Sequence, residues 1–226
     1  RRAATAKAMK DEADRAAAAR VAMESAKADQ PAEPVMTPAA PAPKATLTVN
    51  SKADPTIDFS EKRLRSGDVK QRVLACKSLG LTKDARAFPL LTGALKDAEP
   101  QVRLAAVRGL GTLAVPEIVP PLKTALTDAD KSVRYGAVDA LAQAATPEAQ
   151  AILLGLIRDS DPGMRAGAAE SLGVFKGREV ADALVQAVSD SEPTVRDAAT
   201  ESLGFSGDPR ARGWVEHVLK GDASAN

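Results

Sequence analysis

The chain has 226 residues, 44% of them hydrophobic but only 3% aromatic, so alanine and leucine must carry whatever core it builds. Its formal net charge is +1, with basic and acidic residues nearly balanced from Ile57 onward, which leaves no excess to neutralise phosphates and argues against a nucleic-acid partner. No run of about 18 apolar residues occurs, so no transmembrane segment is expected, and the single cysteine, Cys76, excludes an internal disulfide.

Residues 1–30 are alanine-rich with interspersed charges, the composition of a strong helix former. Lys7 with Asp11, Lys10 with Asp14, and Asp11 with Arg15 stand four apart and each add roughly 0.2–0.5 kcal/mol to such a helix. Large apolar residues are few there (Met9, Val21, Met23), so the arm is either a solvated helix or one whose alanine face packs on another protein. The chain starts at Arg1 without a methionine, the start of a fragment or of a chain whose leader was removed, and both cytoplasmic and periplasmic settings stay open. Residues 31–56 carry Pro31, Pro34, Pro38, Pro41, Pro43 and Pro55 among alanines, which predicts a semi-rigid, extended linker.

From residue 57 to 226 one unit recurs. Arg72, Arg103, Arg134, Arg165 and Arg196 stand 31 residues apart, each followed seven residues later by Leu79, Leu110, Leu141, Leu172 or Leu203. A fixed period in this range is the mark of a solenoid. Within a unit Val102, Ala105, Ala106, Val107 and Leu110 share one helical face. Pro100, Pro162 and Pro193 directly follow an acidic residue and signal helix starts. Gly80, Gly111, Gly173 and Gly204 after the leucine read as helix stops. A second helix follows, with Leu91 and Leu95 and their counterparts inward, giving about eleven short helices between Ile57 and Lys220. Cys76 occupies a position held elsewhere by Val107, Val138, Ala169 and Thr200, which reads as a small core side chain.

The stretch from Asp97 through Arg103 to Leu110 and Gly111, an aspartate, five residues, an arginine, small residues and Leu-Gly, resembles HEAT repeats, most of all the short bacterial kind named after phycobilisome lyases. The resemblance covers about three quarters of the chain. It implies an all-α fold, a right-handed α-solenoid of helical hairpins. The family includes scaffolds, adaptors, bilin lyases and a metal-dependent hydroxylase, so function must be argued from residues.

On the helical wheel each arginine points with the core residues, so its stem is covered and its head group needs a carboxylate. Asp97, Asp128, Asp159 and Asp190 are the expected partners, a ladder weakest at the start, where Ser66 replaces aspartate. The opposite face, which in HEAT arrays is concave, is the expected partner-binding stripe: Lys70, Val73 and Lys77; Gln101, Leu104 and Arg108; Ser132, Tyr135 and Asp139; Gly163, Ala166 and Glu170; Thr194, Asp197 and Glu201. Its sign changes from basic to acidic along the array. No catalytic, cofactor or metal site is expected: the resembling hydroxylase binds iron through repeated His-Glu pairs, whereas this chain has only His217 beside Glu216. The expectation is therefore a non-catalytic adaptor binding one or more proteins of a larger assembly, with a bilin lyase or chromophore-insertion chaperone as the alternative.

Overall fold

Each arginine-bearing helix begins on a local signal. Asp68, Asp130 and Asp161 hold extended backbone, and their carboxylates accept the amides of Lys70, Ser132 and Gly163, satisfying donors that the first helical turn leaves open. At Pro100, Pro162 and Pro193 the first helical residue has no such donor to satisfy. A computed structural model describes residues 55–82, 84–113, 116–205 and 213. The expected arm, the linker up to residue 54 and the helix expected around Val215 and Leu219 lie outside the described residues.

The described residues form ten α-helices, with no strand of more than a single bridge residue. One layer holds α2 (Val69–Leu81), α4 (Pro100–Leu113), α6 (Lys131–Ala144), α8 (Pro162–Leu172) and α10 (Pro193–Phe205), each with one of the five arginines. The other holds α1 (Pro55–Leu64), α3 (Ala87–Ala94), α5 (Val119–Ala125), α7 (Pro147–Leu156) and α9 (Arg178–Ala187). A 3-10 turn, Pro116–Ile118, leads into α5. α1 is the second helix of a half unit, and it starts at Pro55, two residues inside the expected linker.

The core runs between the layers. Leu79, Leu110, Leu141, Leu172 and Leu203 from one side meet Leu91, Leu122, Leu153 and Leu184 from the other, all fully buried. Each such side chain contributes roughly 1.5–3 kcal/mol by leaving water. Cys76 is buried among them, and burial first of all pushes its thiol up to about 12, so it packs as a small hydrophobe and not as a nucleophile.

The glycines expected to stop helices do something else. Gly80, Gly111 and Gly204 lie inside α2, α4 and α10, and Gly173 caps α8 in right-handed backbone. Among the described residues only Ala145 and Gly177 have positive φ. A Cβ at Gly80 would stand 2.7 Å from the Gly109 Cα, and one at Gly111 would stand 3.0 Å from the Ala140 Cβ. Gly80, Gly111 and Gly173 thus mark close approaches between consecutive arginine-bearing helices, whereas a Cβ at Gly204 would meet nothing within 4 Å. The residue six after the arginine is correspondingly small throughout: Ser78, Gly109, Ala140, Ser171 and Ser202. Ser171 and Ser202 donate their hydroxyls to the Val138 and Glu170 carbonyls of the preceding helix.

Arginine-bearing helices pack directly on one another along the stack, whereas second-layer helices meet much less and leave clefts, one between α1 and α3 and one between α7 and α9. The arginine-bearing layer is therefore the more closely packed side of the stack.

Candidate functional site

Three rungs of the arginine ladder share one geometry. Arg72, Arg103 and Arg165 donate Nε and Nη2 to the two carboxylate oxygens of Asp97, Asp128 and Asp190, at 2.7 and 3.0, 2.8 and 2.8, and 2.9 and 2.8 Å. The same guanidiniums turn Nη1 to two carbonyls at the start of their own helix, Ser66 and Gly67, Asp97 and Ala98, Asp159 and Ser160. Each fork therefore ties its helix start to the next hairpin with planar, charge-assisted bonds. The aspartates hold a backbone turn as well, since Asp97, Asp128, Asp159 and Asp190 accept the amide two residues on.

Two expectations are corrected here. Arg134 reaches Asp161, not Asp159, through one 3.4 Å contact. Tyr135 is the cause: its ring lies over Gly163 and its hydroxyl donates to Asp161 at 3.0 Å, holding that carboxylate near Arg134. The weakest rung joining two units is thus in the middle of the stack. The first is complete, because every rung links an arginine to the following hairpin and Ser66 need only supply its carbonyl. Arg196 donates Nη1 to the Asp190 and Ser191 carbonyls, and the position 25 residues on is Gly221.

The pairing tells in the carboxylates. Burial alone would raise Asp97, but the Arg72 fork and the Glu99 amide outweigh it and hold the carboxyl below its usual range. Asp128 and Asp190 are held down chiefly by Arg103 and Arg165, and Asp161 chiefly by the Gly163 amide. A carboxyl whose folded pKa is depressed stabilises the fold above its unfolded value of about 3.9, and that contribution is lost as pH falls through the folded value. Thermal stability should therefore hold from neutrality to about pH 5 and fall steeply below about pH 4; a melting temperature that does not change between pH 5 and pH 3 contradicts this.

Along the arginine-bearing helices the residues five after each arginine, Lys77, Arg108, Asp139, Glu170 and Glu201, are all exposed, one per helix, on the face expected to bind a partner. Lys70, Gln101, Ser132, Thr194 and Asp197 are exposed too. The middle of the stripe is different. Leu104 is half-buried because its side chain packs into the space left by Gly136 of α6, and Tyr135 is half-buried over Gly163 of α8. Val73, Gly163 and Ala166 are half-buried as well. Leu104 and Tyr135 are knobs of inter-repeat packing that leave one edge exposed, a role readable only with the next helix in place.

Asp139 is exposed as a residue, yet desolvation of its carboxyl first, and the Glu170 charge second, raise its pKa against the pull of Arg108. The charges along the column therefore sense their neighbours. Opposite signs meet between Arg108 and Asp139. Among the described residues no group of three His, Cys, Asp or Glu side chains could hold a metal ion, and no helix is long and apolar enough to cross a membrane. His217 lies outside them. Sequence reasoning also missed Asp84, buried in the turn before α3, where it accepts from the Arg86 amide and guanidinium; in the other units the same two residue types recur in register only at Asp208 and Arg210.

Comparison with known proteins bears on this architecture. A family model for HEAT repeats matches residues 57–128, 89–173 and 151–225. The search of curated proteins gave no match. One similar solved structure is the CpcE–CpcF complex of phycocyanin lyase from Nostoc sp. PCC7120, at 22% identity and TM-score 0.55, covering 65% of this chain and 97% of that one. Another is the Escherichia coli protein YibA, at 20% identity and TM-score 0.53, covering 70% of this chain and 62% of YibA. Identities this low carry the fold alone. With three overlapping matches running from residue 57 to 225 and a stack of arginine-tied helical hairpins in between, the chain belongs to the HEAT-repeat family.

Proposed function

We propose that this chain is a non-catalytic adaptor whose inner face holds a segment of a partner protein. The observation that carries the reading is the column Lys77, Arg108, Asp139, Glu170 and Glu201: five exposed charges, one per repeat, basic at one end and acidic at the other. Such a column matches a bound segment with acidic side chains toward α2 and α4 and basic ones toward α6, α8 and α10. Gln101, Ser132 and Asp197 line its flank, and the edges of Leu104 and Tyr135 offer the apolar contact in the middle. The arm of residues 1–30 and the linker to residue 56 join the solenoid to the rest of the assembly in this reading. A bilin lyase is the second reading, supported by likeness of fold to CpcE–CpcF; an absorbance band on co-expression with a bilin separates it from the first.

Reversing two charges tests the adaptor. Lys77→Glu with Arg108→Glu touches no rung of the ladder, so the melting temperature should stay within about 2 °C of the parent, as surface changes usually cost under about 0.5 kcal/mol. Used as bait for affinity purification from the native source, the variant should lose at least one partner that the full parent chain recovers. Identical partner lists in identical amounts would remove the inner face from consideration.

A further inference from the structure

Nine residues after an arginine the helix has made two and a half turns, and the side chain there stands opposite the arginine and four residues past the column of charges, as its neighbour on the same face. The five residues at this position, Leu81, Thr112, Gln143, Val174 and Phe205, are all exposed. Thr112 and Gln143 show that packing asks for nothing apolar there. Val174 and Phe205 are nevertheless large and apolar, 60% and 66% exposed, and belong to consecutive arginine-bearing units. Single apolar side chains on a surface need no explanation, but these two are held side by side. Lys176, two residues after Val174, donates its ammonium to the Phe205 carbonyl, and Ser202 donates its hydroxyl to the Glu170 carbonyl, so the end of α10 is tied to the end of α8.

Each apolar side chain stands one turn beyond an exposed carboxylate, Val174 after Glu170 and Phe205 after Glu201. Among the described residues neither carboxylate is in an ion pair, and the exposed Asp197 adds a third negative charge nearby on α10. Such a surface repels nucleic acid and anionic lipid. Its chemical match is a polypeptide segment with cations and large apolar side chains on one side. The backbone groups of α8 and α10 are engaged within their own helices, so an extended segment would find no ladder to join, whereas a helix brings its hydrogen bonds with it. Helices packed side by side stand about 8–10 Å apart and seven residues of helix rise about 10.5 Å, so apolar side chains one heptad apart reach Val174 and Phe205 together.

We propose that Val174 and Phe205, with Glu170 and Glu201 beside them, form the docking site for a cationic amphipathic helix of a partner protein, its apolar face on the first pair and its lysines or arginines on the second. This rests on the reading of the exposed face as a partner-binding surface and specifies what binds at its acidic end.

The test titrates the full chain with two synthetic peptides of about 18 residues and one leucine–lysine composition, the first with its leucines at helical spacing so that a single face is apolar, the second scrambled. The first should bind about tenfold more tightly and gain helicity by circular dichroism as it does so. Val174→Thr with Phe205→Gln, which places there the residue types that α4 and α6 carry, should remove most of that preference and leave the melting temperature within about 2 °C of the parent. Glu170→Gln with Glu201→Gln should weaken both peptides. Equal affinity for the two peptides, or a preference that survives Val174→Thr with Phe205→Gln, overturns the proposal. So does a loss of several degrees in that variant's melting temperature, which would show that the chain itself covers the two side chains. The adaptor reading is judged separately by the Lys77→Glu, Arg108→Glu bait: partners lost there, with no peptide preference here, remove this site alone.

Discussion

Gly80→Ala lowers stability by about 1–3 kcal/mol, the ordinary range for overpacking a closed contact, although alanine is the better helix former by about 0.8–1.0 kcal/mol. The new Cβ would sit 2.7 Å from the Gly109 Cα and 3.0 Å from its carbonyl oxygen. Both are backbone atoms of α4 and cannot rotate away, so α2 and α4 must separate. At about 2–4 °C per kcal/mol the melting temperature drops by several degrees. Gly93→Ala in α3 is the matched control, because nothing stands within 4 Å of its Cβ position. It should be neutral or stabilising by up to about 1 kcal/mol. If both substitutions move stability the same way, close approach is not what these glycines serve.

The second large effect concerns the ladder. Arg103→Ala removes a fork that is 15% exposed and leaves the Asp128 carboxylate, 14% exposed, without its cation, together with the Asp97 and Ala98 carbonyls that the same head group satisfies. Breaking a fully buried pair costs about 3–5 kcal/mol; the remaining solvent access brings the expected loss to about 2–3 kcal/mol. Arg134→Ala should cost distinctly less. Its single 3.4 Å contact leaves Asp161 still bound by the Tyr135 hydroxyl and the Gly163 amide. Arg103→Lys should recover only part of the loss, since an ammonium cannot make the planar two-point bond. Denaturant midpoints for the three variants provide the ranking, and an Arg134→Ala loss equal to that of Arg103→Ala contradicts it.

The two results separate two ways of joining repeats. Close backbone approach gives the stack its spacing, and the arginine forks determine how one hairpin sits on the next. Nearest-neighbour coupling of this kind makes the stability of a solenoid roughly a sum over units and interfaces. The middle interface between α6 and α8, with a tyrosine–aspartate contact in place of a bidentate rung, is the natural place for the sum to be smallest.

Much of this was open to reading from the chain alone, and for a physical reason. A repeat confronts every copy with the same environment, so a residue's role shows as a constraint at a fixed interval: arginine at 72, 103, 134, 165 and 196, leucine seven on, and proline or aspartate where a helix must start. The helical hairpins, the buried leucines and the exposed column of charges all follow from a periodicity that needs no coordinates. What period and helical wheel do not contain is the neighbouring helix. Gly80 looked like a stop because glycine commonly ends helices, and only the position of Gly109 shows that it is a contact. Asp161 took the place of Asp159 because Tyr135 reaches across a gap that no single-helix projection includes. Leu104 and Tyr135 belong half to the exposed face and half to the packing for the same reason, and Leu74 is exposed on α2, the first arginine-bearing helix among the described residues. Local pattern determined which residues point in and which point out; the separation and angle between successive helices, which depend on residues 25 to 33 apart, decided what each of them touches.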